Sequence, residues 1–128
     1  MLISILITLF AFRKHLTDFT LYQYRHLLES LLQQDYQFLT FEQYCEQKSS
    51  PHRPIASSPK YILLRHDVDL KAANSLATAQ IEHELGIRAT YYFRVVPQSN
   101  QPDIIRAIAA LGHEIGYHYE DMALMQGD

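Results

Sequence analysis

At 128 residues the chain is domain-sized at most, and its 48% hydrophobic, 20% charged composition excludes disorder as the default. A formal charge of −3 leaves no basic footprint for nucleic acid or anionic lipid. The single Cys45 excludes an internal disulfide and has no CxxC partner for a thiolate site; its scarcity favours a reducing, cytoplasmic compartment.

Residues 1–12, MLISILITLFAF, are apolar and uncharged. As a helix they would span about 18 Å, short of the ~30 Å hydrocarbon core, so membrane anchoring is not expected. The positive residues follow the apolar run, which is the wrong order for a signal peptide. β-branched content suits a strand or the remnant of a mis-assigned start. In residues 20–34, Leu21, Tyr24, Leu27, Leu28, Leu31 and Leu32 recur at helical spacing behind a Thr20/Gln23 capping box. A short strand over 37–39 then leads to Thr40 as N-cap, Gln43 at N3 and a helix of about two turns. Residues 1–47 thus read as an N-terminal helical cap or extension. Residues 48–60, with three prolines and four serines, read as a linker in which His52 is a solvated loop residue.

After the linker the period changes. Residues 61–69 read as a strand, and 71–85 as a helix with Ala73, Ala77, Ile81 and Leu85 on one stripe, Leu76 alongside and Gly86 as its stop. Residues 88–96 form a second strand. Residues 101–111 form a second helix, with Pro102 near N1 and Gly112 as its stop, and 113–120 a third strand. Alternating strands and helices with short connections argue a βαβαβ unit on a parallel sheet, so the fold class is α/β.

The chemistry gathers late in two strands. Side chains two apart share a strand face, so Asp67 and Asp69 point the same way, about 6.6 Å apart along the chain. His118 and Glu120 do likewise in the third strand, opposite Ile115, Tyr117 and Tyr119. In parallel α/β sheets, ligands bind at the carboxyl ends of strands. Two aspartates meeting an imidazole and a carboxylate there make a mixed N/O donor set that suits zinc or another divalent ion. One aspartate can hold the ion while the other, unbound, serves as general base. The ion is needed because it lowers the pKa of water from roughly 15.7 toward ~7.

Simpler roles stand beside these. Asp69 before LKAA is placed to cap the next helix, and a lone histidine such as His118 is more often a hydrogen-bonded core or surface group than a ligand. His66, on the opposite face, reads as structural, and Arg65 can pair with either aspartate. His113 and Glu114 fall at the wrong edge of the sheet. His15, His26 and His83 have no partner at ligand spacing.

At these residues the chain resembles the polysaccharide deacetylase family of NodB-homology type, over Tyr61 to about Met122. HDVD is similar to the family's first motif, LGIRATYYF to its second-strand segment, and LGHEIGYH to its second motif. The resemblance implies a deformed, TIM-like (β/α) barrel and metal-dependent removal of acetyl groups from N-acetylated sugars. It makes Asp67 like the catalytic base, Asp69 like a metal ligand and His118 like the first ligand histidine, with Zn²⁺ as the expected cofactor. Two departures qualify it. The family's second ligand histidine falls on Met122, a poor ligand for a hydrolytic ion, so Glu120 or Asp121 must substitute; Glu120 shares the face of His118 and is preferred. A (β/α) barrel also takes at least ~200 residues. Residues 61–128 are therefore expected to be the N-terminal portion of a barrel, either truncated or completed by a C-terminal half or a second copy. The expected function is a metal-dependent hydrolase of non-peptide carbon–nitrogen bonds acting on a carbohydrate or another N-acetylated small substrate. The alternative is a non-catalytic carbohydrate-binding or remnant module with an incomplete metal site.

Overall fold

A computed structural model describes residues 20–49 and 60–120. The apolar run 1–12, the loop residues 50–59, and Asp121 and Met122 lie outside the described residues.

Thr20 caps the first helix, α1 (Leu21–Gln33): its hydroxyl accepts from the Gln23 N–H at 3.2 Å. A turn in which Asp35 takes a positive φ of 62° delivers the chain to β1 (Tyr36–Leu39). The box at Thr40 is closed in both directions. Gln43 N–H donates to the Thr40 hydroxyl at 3.2 Å and Thr40 N–H to the Gln43 side chain at 3.0 Å, which starts α2 (Phe41–Ser49).

The expected single strand over 61–69 is two short ones, β2 (Lys60–Leu63) and β3 (Arg65–Val68), broken at Leu64. β2 pairs in parallel with β1, from Tyr36↔Lys60 to Leu39↔Leu63, whereas β3 pairs in parallel with β4 (Thr90–Phe93). The partner changes from one segment to the next, so ladder bonding does not run continuously through residue 64. The N-terminal segment therefore contributes a strand as well as helices. β4 pairs in turn with β5 (Glu114–Tyr117), giving a three-stranded parallel sheet of order β3-β4-β5 beside the two-stranded one. Among the described residues this is a mixed α/β architecture with two small parallel sheets and no closed barrel. No described helix is long and apolar enough to cross a membrane.

The helices α3 (Ala72–Glu84) and α4 (Pro102–Ala110) make the two crossovers. Gly86 has φ 71°; its N–H bonds His83 O at 3.0 Å and Ile87 N–H bonds Glu82 O at 2.8 Å, a complete Schellman stop. Gly112, φ 93°, ends α4 in the same left-handed conformation. The N-cap of α3 is Lys71, without a side-chain cap, so Asp69 does not have the capping role open to it in the sequence. The helices cover one side of the β3-β4-β5 sheet, where Val68, Tyr91 and Phe93 pack with Ala72, Ala79, Ala89 and Ile108. The buried stripe of α3 is Ala72, Ala79, Ile81 and Glu82; Ala73 of the expected stripe is exposed. Ile81 of that stripe is buried and Leu76 and Leu85 pack against the core, and Glu82, 0% exposed, joins them because it finds enough hydrogen-bond donors to be accepted there.

Candidate metal centre

The other side of the same sheet is polar, and its residues fall in rows across the strands. Arg65, Thr90 and Glu114 are register partners, and so are Asp67, Tyr92 and Gly116. Arg94 N–H reaches Val68 O at 3.4 Å and His118 N–H reaches Phe93 O at 2.8 Å. These bonds carry the parallel pairing past the strand ends and bring Asp69, Arg94 and His118 to one row. His118 and Glu120 lie just beyond β5, which ends at Tyr117 rather than 120. The alternation nevertheless persists: Gly116, His118 and Glu120 are shielded while Ile115, Tyr117 and Tyr119 are exposed.

Asp69, His118 and Glu120 each offer one donor atom, and these atoms lie within 4.8 Å of one another. Around the imidazole, Nε2 faces Asp67 Oδ2 at 3.6 Å and Asp69 Oδ1 at 4.0 Å, while Nδ1 faces Glu120 Oε1 at 3.9 Å. His118 Nδ1 is buried and has no hydrogen-bond partner among the described residues. A buried ring nitrogen without a partner is costly unless something supplies one. One imidazole and two carboxylates are a donor set that suits zinc or a similar divalent ion. The chemistry of the donors fits a cation held by Asp69, His118 and Glu120, with Nε2 the imidazole nitrogen that faces Asp69.

Arginines flank the cluster. Arg65 Nε donates to Asp67 Oδ1 at 2.8 Å, and Arg94 pairs with Glu120 Oε2 at 2.5 Å. Of the two aspartates left open to Arg65 in the sequence, it is Asp67 that takes the bond, and the bond raises the guanidinium pKa above its ordinary value. Arg65 also lies 4.6 Å from the centroid of the Tyr92 ring. That ring rests on Gly116, where a Cβ would stand 2.5 Å from Tyr92 Cε1, so no side chain fits. Arg94, Tyr92 and Gly116 escape a search for ligand residue types. Their signal in the sequence is position, because all three share the strand parity of the acidic residues. Beside the cluster, Asp67, Val68, Asp69, Leu70, Lys71 and Ser75 line a cavity of about 330 Å³ at the start of α3.

The reverse face of β3 carries a second, closed cluster that sequence reasoning missed. Glu82 accepts from Tyr24 Oη, from Tyr91 Oη at 2.7 Å and from His66 Nε2 at 2.7 Å. Burial by itself raises the Glu82 pKa, but the hydrogen bond and charge of His66, then the two tyrosines, bring it below the ordinary carboxylate value. Burial and the same carboxylate push both tyrosine hydroxyls far up. His113 accepts from Ala89 N–H at its Nδ1, 3.1 Å, so Nε2 carries the proton and donates to Ala79 O at 3.0 Å. Burial pulls its pKa down, with the Ala79 bond opposing. Glu114 accepts from Phe41 N–H at 3.0 Å and ties α2 to the sheet. His66, His113 and Glu114 are thus structural.

No protein-family profile, no curated protein and no solved structure matches the chain.

Proposed function

We propose that the protein is a divalent-metal-dependent hydrolase of non-peptide amide bonds, with an N-acetylated sugar as substrate class, on the opening strands of a TIM-like (β/α) barrel. The observation that carries this is the convergence of one donor atom each from Asp69, His118 and Glu120 within 4.8 Å, with Asp67 Oδ2 alongside, 3.6 Å from His118 Nε2. Asp69, His118 and Glu120 would hold the ion, zinc by the chemistry of the donors. The ion supplies acidification of water and polarisation of a carbonyl. The remaining work belongs to the chain. Asp67 Oδ1 is committed to Arg65, so Oδ2 is the atom that accepts a proton from an attacking water. The cavity beside it, with Lys71 and Ser75 on its wall, is where an acylated amine sits.

The resemblance of HDVD and LGHEIGYH to polysaccharide deacetylases supports the substrate class. Zinc titration of the purified chain, followed by deacetylation assays on N-acetylglucosamine oligomers, tests it. Binding is expected near stoichiometry of one, lost in Asp69→Ala and His118→Ala. Metal affinity unchanged by both substitutions refutes the site.

One observation favours a second reading, a carbohydrate-binding or remnant module: Glu120 already has a cationic partner in Arg94. Glycan binding that is indifferent to zinc and to chelator, without turnover, would select it.

A further inference from the structure

We propose that Arg65 competes with the cation of this centre for Asp67, and so keeps Asp67 a proton acceptor instead of an added ligand; the inference rests on the metal-dependent reading above. Distance does not separate the two roles. Asp67 Oδ2 stands 3.6 Å from His118 Nε2, closer than the 4.0 Å of the ligand Asp69. Two donors on one ion at ~2.0–2.2 Å stand at most about 4.4 Å apart, so both aspartates are within coordinating reach of an ion on Nε2.

Charge separates them. Asp67 shares its other oxygen with the Arg65 guanidinium at 2.8 Å, and among the described residues Asp69 has no such partner. An ion drawn onto Asp67 would share one carboxylate with a fixed positive charge, and the two cations repel. It therefore gains less from Asp67 than from Asp69, the one carboxylate of the three without an arginine among the described residues; Glu120, paired with Arg94, is under the same handicap as Asp67. The guanidinium is kept in place from behind. It stacks on Tyr92, whose ring occupies the space that a side chain at position 116 would need, and Phe41 closes the ring's flank with centroids 6.3 Å apart. Asp67, Tyr92 and Gly116 are a single register row, so the sheet itself aligns the support with the carboxylate. Arg65 is a positioning residue in this scheme: it acts through Asp67 and touches neither ion nor substrate.

The test is Co²⁺ titration of the full chain, read by d–d absorption, in a double-mutant cycle of Arg65→Met and Asp67→Asn. With Asp67 present, Arg65→Met is expected to tighten Co²⁺ binding about three- to fivefold, the range a half-exposed charge pair supports. The absorption intensity falls as coordination number rises. In the Asp67→Asn background Arg65→Met changes neither quantity. Arg65→Lys, which keeps the charge and loses the planar fork, gives an intermediate affinity. An equal gain in the Asp67→Asn background would mean that Arg65 acts only as a remote charge, and overturns the proposal. Unchanged affinity in Arg65→Met overturns it too, while leaving the metal reading intact. A chain that takes up no Co²⁺ before any substitution sinks both.

Discussion

Strand β3 serves two clusters of similar ingredients and opposite accounting. On its helix-covered face His66 meets Glu82, a carboxylate with no exposure, and three donors, from His66, Tyr24 and Tyr91, are spent on that one side chain. On its open face Asp67 meets His118, whose Nδ1 has no hydrogen-bond partner among the described residues, and four groups of negative or neutral charge crowd a half-exposed row with two arginines at its margins. A satisfied polar cluster rigidifies a fold, and an unsatisfied one is where a ligand completes the structure. The difference teaches that residue type does not make a site; the number of unfilled partners does.

Glu82→Ala cuts deepest into this contrast. Removing the shared acceptor strands His66, Tyr24 and Tyr91, and the loss expected in urea unfolding is about 3–5 kcal/mol. Next comes Gly116→Ala, which forces the Tyr92 ring off the open face. Overpacking of this kind costs roughly 1–3 kcal/mol, and a thermal melt that matches the unaltered chain would show that Tyr92 yields freely. Tyr24→Phe deletes one of three hydrogen bonds to Glu82 and is expected to cost about 0.5–1.5 kcal/mol, measurable by the same unfolding curves. At the bottom of the scale, Asp69→Ala on the open face should change stability by less than ~0.5 kcal/mol while abolishing zinc uptake. A large destabilisation there would erase the distinction between the faces.

Acidification probes the closed cluster by another route. His113 is held below its ordinary value of 6.5, so between that value and its folded pKa the unfolded chain binds more protons. Stability is therefore lost as pH falls below about 6.5, and urea midpoints are expected to decline from pH 7.5 to 5.5. Glu82, depressed from 4.5, adds a second loss as pH falls below its unfolded value and through its folded one. His113→Gln, which can keep both backbone bonds, should flatten the first decline. An unchanged slope would place the titrating group elsewhere.

Much of the fold was legible along the chain. Thr20, Thr40, Gly86, Pro102 and Gly112 mark helix ends through local backbone chemistry, and all five take those positions. Strand parity was legible too, which is why Asp67, Asp69, His118 and Glu120 could be gathered from spacing alone. The break at Leu64 was not, because nothing in YILLRHDVD records that β2 and β3 have different partners. Glu82 was equally hidden. In QIEHEL it is one of two acidic residues on a helix, and its burial depends on Tyr24 and His66, residues 58 and 16 positions away.

What the sequence determined by itself is periodic and local: where helices begin and stop, and which side chains share a strand face. Tertiary structure decided which partner each charge received. Arg94 went to Glu120, His66 and Tyr24 to Glu82, and Glu82 to the core. Such pairings depend on distances across the fold, and neighbouring letters in a chain carry no record of those distances.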